Sequence, residues 1–533
     1  MTTDQPTQEL TVDRRLSLLM FKLPLITATF LLVGLGVGLT YYILTSDNNP
    51  VAELIKVLGI FSLVISIVRP QTGIYILIVA CAYLDLVKRI AYWFGYYSAA
   101  NQGVATLQVS ILSFAPVTVL GVFLGVLVRR IFITKRLIEK RELIAASFIT
   151  LVNAAVLISN YIKQKDFIEA ASRSANECIY LLLIFAAPSL YTTREDINKV
   201  LRFTLIAFLP CALYGIRQGV FGYTDLDVIW MKSGITVTES LLFDTKDRAF
   251  GTLASPHPYG VLYWMILIAG YFVYTSKRNR IFNLVLLFTY SVALFFGYTR
   301  SAWVSLAVTA GAIYFFKSGK KTIQFYSSAL AVFAGFIIFA QYLYDHLTDF
   351  ESILPIESSS SEMAFRLGTF SERLFSVQNW TTNSRFWTWF GMKEVFDYRA
   401  VTHDEIIHDM VGQVLVKYGA VGLFGGIGFA SIALIYFHWA TLRIKDHEDR
   451  LLAILLLSMV SINFYTGCIF GANYQVFPWN FFLWLSVGFQ IVLCRLREGP
   501  PVIVKPAKES RLVAKPTRQG KPDARNYARS ARR

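Results

Sequence analysis

The residues best able to do chemistry lie in HDEIIHDMVGQ, from His403 to Gln413, where two histidines, three carboxylates and an amide lead into an apolar run. Three readings are open: a metal site, an acid or base facing an active site, or a polar loop in water. His403 and His408 are five residues apart, whereas helical zinc ligands stand four apart on one face, and the acids between them are neighbours rather than face-mates. This spacing argues against a metal centre. Histidine titrates near pH 6.5, at about the ordinary imidazole value, and moves protons close to neutrality, so His408 is the candidate base. The plainer alternatives are that His408 caps the next helix, that Asp409 is its N-cap, and that His403, Asp404 and Glu405 are solvated.

Three permanent cations stand at similar boundaries. Arg248 opens RAFGTLASPHPYG (248–260), Arg300 lies in GYTRSAW (297–303) and Arg385 in NSRFW (383–387). An arginine at a helix centre in hydrocarbon costs about 2.5 to 3.5 kcal/mol by insertion scales, so it needs a partner or a task. Guanidinium stays charged and offers a planar two-point contact to phosphate oxygens. The alternative is a snorkelling side chain, with Asp247 and Glu394 as surface partners for Arg248 and Arg385. Arg300 has no acid near it in sequence.

The elements that must position these groups follow from composition. The 533 residues are 55% hydrophobic and 16% charged, with a mean hydropathy of +0.49; a bilayer is the solvent that suits such a chain. Apolar runs of about 20 residues, the length that crosses about 30 Å of hydrocarbon as a helix, recur throughout. They are continuous, as in LITATFLLVGLGVGLTYYIL, so helices rather than barrel strands are expected. The expected fold is an all-α, polytopic transmembrane bundle of about 14 (12–14) spans. The spans fall near 24–45, 51–68, 73–87, 107–128, 143–161, 177–192, 199–221, 258–275, 281–298, 301–317, 324–342, 411–438, 451–470 and 477–494.

Loop charge sets the orientation. RRIFITKRLIEKR (129–141), KRNR (277–280), KSGKK (317–321) and RIKDHEDR (443–450) all fall on the same side as the N-terminus, which places both termini in the cytoplasm. The expected domains are a cytoplasmic segment 1–23, a membrane domain 24–494 and a basic, disordered cytoplasmic tail 495–533. Within the membrane domain, 343–409 is a long outer loop whose NSRFWTWFGMKEVF (383–396) has the spacing of an amphipathic helix. No small-x-small cleavage site follows the first apolar run, so no cleavable signal is expected. The net charge of +16 is concentrated in the tail, which argues for anionic lipid and against nucleic acid as its partner. The five cysteines show no paired spacing and read as small core residues.

In this order, the four outer motifs resemble those of the O-antigen ligase and polysaccharide polymerase superfamily. His408, Gln413, Gly419, Gly422 and Leu423 fall in register with its histidine motif. Arg248, Gly251 and Pro256 match its Arg-x-x-Gly before a proline-containing helix, Thr299, Arg300 and Ser301 its Thr-Arg-Ser turn, and Arg385 its loop arginine. Asp409 replaces the usual Asn, Gly412 the usual Leu, and DYRAVTHDEI (397–406) the glycine-rich turn before the histidine.

The resemblance implies a GT-C-like fold and a metal-independent, inverting glycosyltransferase of the bacterial inner membrane that needs no cofactor. Its donor would be an undecaprenyl pyrophosphate-linked glycan and its acceptor a glycan or lipid. His408 would be the base, and Arg248, Arg300 and Arg385 would hold the diphosphate; His403, Asp409 and Gln413 are secondary candidates. Polymerase is the first expectation and ligase the second. A chain-length regulator is a further partner that the tail could recruit. A transporter of an anion or lipid-linked sugar is the rival from another class; transporters carry broken helices at corresponding places of two repeats, and no repeat is visible here.

Overall fold

The structure is a computed structural model in which residues 50–93, 103–130, 140–164, 167, 170, 174, 178–232, 242–243, 246–317, 387–391, 410–470 and 477–496 are described. In chain order the helices are α1 (Pro50–Val68), α2 (Pro70–Trp93), α3 (Gly103–Val128), α4 (Lys140–Gln164), α5 (Leu182–Leu190), α6 (Arg194–Phe221) and α7 (Asp225–Lys232). A two-residue antiparallel pairing follows, β1 (Leu242–Phe243) with β2 (Lys246–Asp247). Then come α8 (Pro256–Tyr259), α9 (Leu262–Thr275), α10 (Arg280–Phe296), α11 (Arg300–Lys317), α12 (Met410–Val421), α13 (Phe429–Leu442), α14 (His447–Phe470) and α15 (Trp479–Leu496).

The architecture is all-α, as the unbroken apolar runs imply. Every expected span coincides with a helix except 24–45 and 324–342, which lie outside the described residues. Arg194–Phe221, Pro256–Thr275 and Met410–Leu442 are long and apolar enough to cross a membrane. Arg495 and Leu496 close α15 rather than beginning the tail; the rest of the tail lies outside the described residues.

Helix α9 is the centre of the packing. Leu262 to Ala269 are all buried, as befits a helix apolar on every side, and α6, α10, α11 and α14 surround it. The outer helices show the reverse pattern. Ile281, Phe282, Val285 and Phe288 of α10 and Ile432, Tyr436 and Trp439 of α13 are exposed, an apolar surface of the kind that lipid covers. Helices α1 and α3 approach closely: a Cβ at Gly121 or Gly125 would lie 2.7 or 2.5 Å from the carbonyl oxygen of Leu63 or Ile67, the small-residue contact of helices packed in lipid.

The two ends of α6 mark two ends of the bundle. At its start, Arg194 is paired with Asp446 (3.1 Å), Glu448 (2.9 Å) and Asp449 (3.2 Å). Asp446 accepts the N–H groups of Asp449 and Glu448 at the opening of α14, and the Asp449 N–H above all holds its carboxyl below the usual range. At the other end of α6, Gln218 meets the loop that carries the first arginine motif and Tyr214 meets Asp227 of α7.

One expectation fails. Where the stretch 383–396 is described, Trp387–Gly391 is irregular rather than an amphipathic helix. Gly391 has φ +86, and the carbonyls of Thr388 and Trp389 accept from the N–H groups of Ala420 and Val421 at 2.8 and 3.2 Å. The aromatic spacing imitated a helical face, but the backbone groups that a helix would use are bonded to another segment. The remainder of 383–396 lies outside the described residues.

Candidate functional site

The loop 248–255 joins β2 to α8, and seven of its backbone groups are bonded by side chains of α2, α6, α7 and the segment beside α7. Such a loop carries polar groups that must be paired to be buried. The Arg89 guanidinium of α2 donates to the carbonyls of Gly251 (2.5 Å) and Leu253 (3.0 Å). Gln218 Oε1 of α6 accepts the N–H of Phe250 (3.0 Å) and of Gly251 (2.8 Å). Asp85 accepts the N–H of Ala254 at 3.1 Å, Trp230 Nε1 of α7 donates to the Ala254 carbonyl at 3.1 Å, and the Tyr223 hydroxyl donates to the Arg248 carbonyl at 2.9 Å.

An ion pair anchors this clamp. Arg89 and Asp227 of α7 meet at 2.7 Å with both side chains fully buried. Asp227 also accepts from the Tyr214 hydroxyl (2.9 Å), the Thr224 N–H (3.0 Å) and the Thr224 hydroxyl (2.8 Å), and the guanidinium stacks 4.7 Å from the centre of the Phe250 ring. Desolvated charges persist where they are paired and hydrogen-bonded; both terminal nitrogens of Arg89 are bonded, while its buried Nε has no partner among the described residues. These residues escaped the sequence reading. The one sequence signal was the cluster Asp85, Lys88 and Arg89 inside an apolar run, which is expensive without partners.

The clamp holds the first arginine motif against the second. The Ala249 N–H donates to the Phe296 carbonyl at 2.9 Å, and Arg248, half-buried, places Nε 3.4 Å from the Gly297 carbonyl. The Thr299 hydroxyl bridges toward the Pro256 and Gly297 carbonyls at 3.0 and 3.2 Å. Its own carbonyl accepts from the N–H groups of Ala302 and Trp303. Arg300 is thus the first residue of α11, where the N–H groups of the opening turn and the helix dipole favour an anion. The Arg300 side chain lies outside the described residues.

Tyr259 fills the space between the two motifs. Its ring lies among three glycines: a Cβ on Gly215 of α6 would stand 1.8 Å from its hydroxyl oxygen, one on Gly251 2.7 Å from its ring, and one on Gly297 2.9 Å from its ring. Gly215→Ala is therefore expected to destabilise the protein by about 1 to 3 kcal/mol through overpacking. A thermal midpoint in detergent equal to wild type would show that the ring has room to move.

The third described part surrounds the histidine motif. Gly419, one of the residues that carry the resemblance, has φ +66 and breaks α12. The strap Trp387–Gly391 lies against that break, and a Cβ on Gly419 would come within 2.5 Å of the Gly391 nitrogen. Gln413 is half-buried within the first turn of α12. His403, His408, Asp409 and Arg385 lie outside the described residues. Arg385 precedes the strap by two positions, and His408 precedes α12 by two.

Fold and site together define a class: an all-α protein with helices able to cross a membrane and a corner where the loop carrying Arg248 packs against the turn that opens α11. Comparison narrows it no further, since no family model, curated protein or solved structure matches the chain.

Proposed function

We propose that the protein is a multi-pass glycosyltransferase of the bacterial inner membrane that acts at the outer face on an undecaprenyl pyrophosphate-linked glycan. Polymerisation of a surface polysaccharide is the first assignment, and ligation to a lipid or protein acceptor is the second. The observation that carries this reading is the meeting of Arg248 with the turn that leads into Arg300, 49 residues separating Arg248 from Gly297. A diphosphate at headgroup depth needs cations of this kind, and a helix N-terminus beside them adds to the attraction.

The bundle has about 14 spans with both termini inside. The grouping of the turns supports this: Arg194 meets the 443–450 turn at one end, while Asp227, Arg248 and Thr299 gather at the other. His408 takes the proton from an acceptor hydroxyl as its oxygen attacks the anomeric carbon. The bond to the carrier's diphosphate breaks on the opposite side, so the configuration inverts. Arg248, Arg300 and Arg385 stabilise the charge that grows on the departing polyprenyl diphosphate.

One observation favours the rival. The break at Gly419 interrupts a helix long enough to cross the membrane, as breaks do at transporter sites. Such breaks come in corresponding pairs from two repeats, and this sequence has no internal repeat.

The test is a deletion in the native host, with mass spectrometry of surface glycans and carrier-linked intermediates. Single repeat units accumulating on the carrier mean a polymerase, and long chains accumulating there mean a ligase. Unchanged pools would overturn the transferase reading in favour of transport. In the complemented strain, Arg300→Lys keeps the charge but loses the planar fork, and transfer is expected to fall by about tenfold to a hundredfold. Full activity would reduce Arg300 to a snorkelling side chain.

A further inference from the structure

Beyond the Arg248 corner, the break in α12 is bonded in a way that gives one buried side chain a task. At Gly419, with φ 66 and ψ −160, the N–H groups of Ala420 and Val421 turn away from the carbonyls one turn earlier. They donate instead to Thr388 and Trp389 of the strap, at 2.8 and 3.2 Å. Inside a membrane domain a displaced backbone group must find such a partner, because there is no water to serve it.

The Lys417 carbonyl, which a regular helix would bond to the Val421 N–H, is met by Ser159 of α4. The Ser159 hydroxyl lies 2.6 Å from it and 3.0 Å from the Phe390 carbonyl of the strap. Its side chain is buried, at 1% exposure. A single hydroxyl proton thus serves carbonyls from two segments 27 positions apart in the chain, and it ties both to a third. The two glycines permit the approach: a Cβ on Gly391 would stand 2.3 Å from the Lys417 oxygen, and one on Gly419 2.3 Å from the Thr388 oxygen.

We propose that Ser159 is a positioning residue for the transfer reaction: with the strap it fixes the first half of α12, the helix that carries Gln413 in its first turn. This rests on the glycan-transfer reading. The same bonds fix the strap, so one hydroxyl sets the spacing between the strap and α12. Ser159 touches neither substrate. Displacing a reacting group by about 1 Å can lower a rate a hundredfold, so the effect belongs in kcat.

The experiment uses the full-length protein in lipid nanodiscs, with Ser159→Ala and Ser159→Thr compared against wild type. Two readouts are taken: steady-state transfer from a polyprenyl pyrophosphate-linked repeat unit, and hydrogen exchange of the amides in 414–423. In Ser159→Ala, kcat is expected to fall by about tenfold to a hundredfold with the donor KM nearly unchanged, while the Ala420 and Val421 amides exchange about fivefold faster or more. Ser159→Thr, which keeps the hydroxyl, should restore both.

Faster exchange with an unchanged kcat would overturn the positioning role, as would a rise in KM that accounts for the whole loss. If wild type transfers no glycan, the functional reading fails instead. Exchange then decides the clamp alone, and unchanged protection in Ser159→Ala would overturn it.

Discussion

Replacing His408 by alanine is expected to reduce glycan transfer by about 10² to 10⁴, the usual contribution of a positioned base, while the protein is made and inserted in normal amount. Insertion should survive because α12 begins at Met410 and its backbone is secured further along, at Ala420 and Val421, by the strap. The pH profile sharpens the test. An imidazole base is active when neutral, so the wild-type rate should rise from acid toward neutral pH and then level off. In His408→Ala that rising limb should vanish together with most of the rate. The measurement is transfer from a carrier-linked repeat unit across pH 5 to about 9, with immunoblots of the membrane fraction as control. Normal glycan in the variant would remove His408 from the chemistry.

Asp227→Ala is expected to be the most damaging single change to stability, at about 3 to 5 kcal/mol, because it leaves a buried guanidinium uncompensated. It also removes the carboxylate to which the Tyr214 and Thr224 hydroxyls and the Thr224 N–H donate. The expected result is little protein in the membrane fraction and a lowered thermal midpoint in detergent. A double variant, Arg89→Met with Asp227→Leu, removes both charges and should recover part of the protein. Recovery should be incomplete, since the Gly251 and Leu253 carbonyls lose the donor they share. A thermal midpoint in Asp227→Ala equal to wild type would show that the ion pair is not what holds the arginine loop.

The parts of the molecule legible in the sequence are those with a local cause. A continuous apolar run is enough to specify a helix, and so α1, α6, α9 and α14 lie where the runs lie. The neighbourhood of Arg248 and Arg300 could be anticipated from two motif loops expected on the same face.

What could not be read is what depends on distant partners. Arg89 and Asp227 are 138 positions apart, and no periodicity links them. Gln218 reads as one amide near the end of an apolar helix until the loop whose N–H groups it accepts is folded against it. The strap misled for the opposite reason: Phe386, Trp389, Phe390 and Lys393 have a helical spacing, but a glycine with positive φ and a helix with displaced N–H groups decide the backbone conformation. Ser159 is silent in sequence, one small polar residue in an apolar stretch.

The fully buried Arg89–Asp227 pair also constrains how the molecule is made. Synthesis proceeds from the N-terminus at about 5 to 20 residues per second, so Arg89 leaves the ribosome about 7 to 30 seconds before its counter-charge exists. During that interval Asp85, one turn earlier on α2, is the carboxylate nearest to it in the chain. Arg89 stands one turn from the end of α2, at Trp93. Only when α7 arrives can its charge meet Asp227 and hold the arginine loop. Assembly of this end is therefore a late event, and a nascent chain stopped before Asp227 lacks the bond that joins α2 to α7.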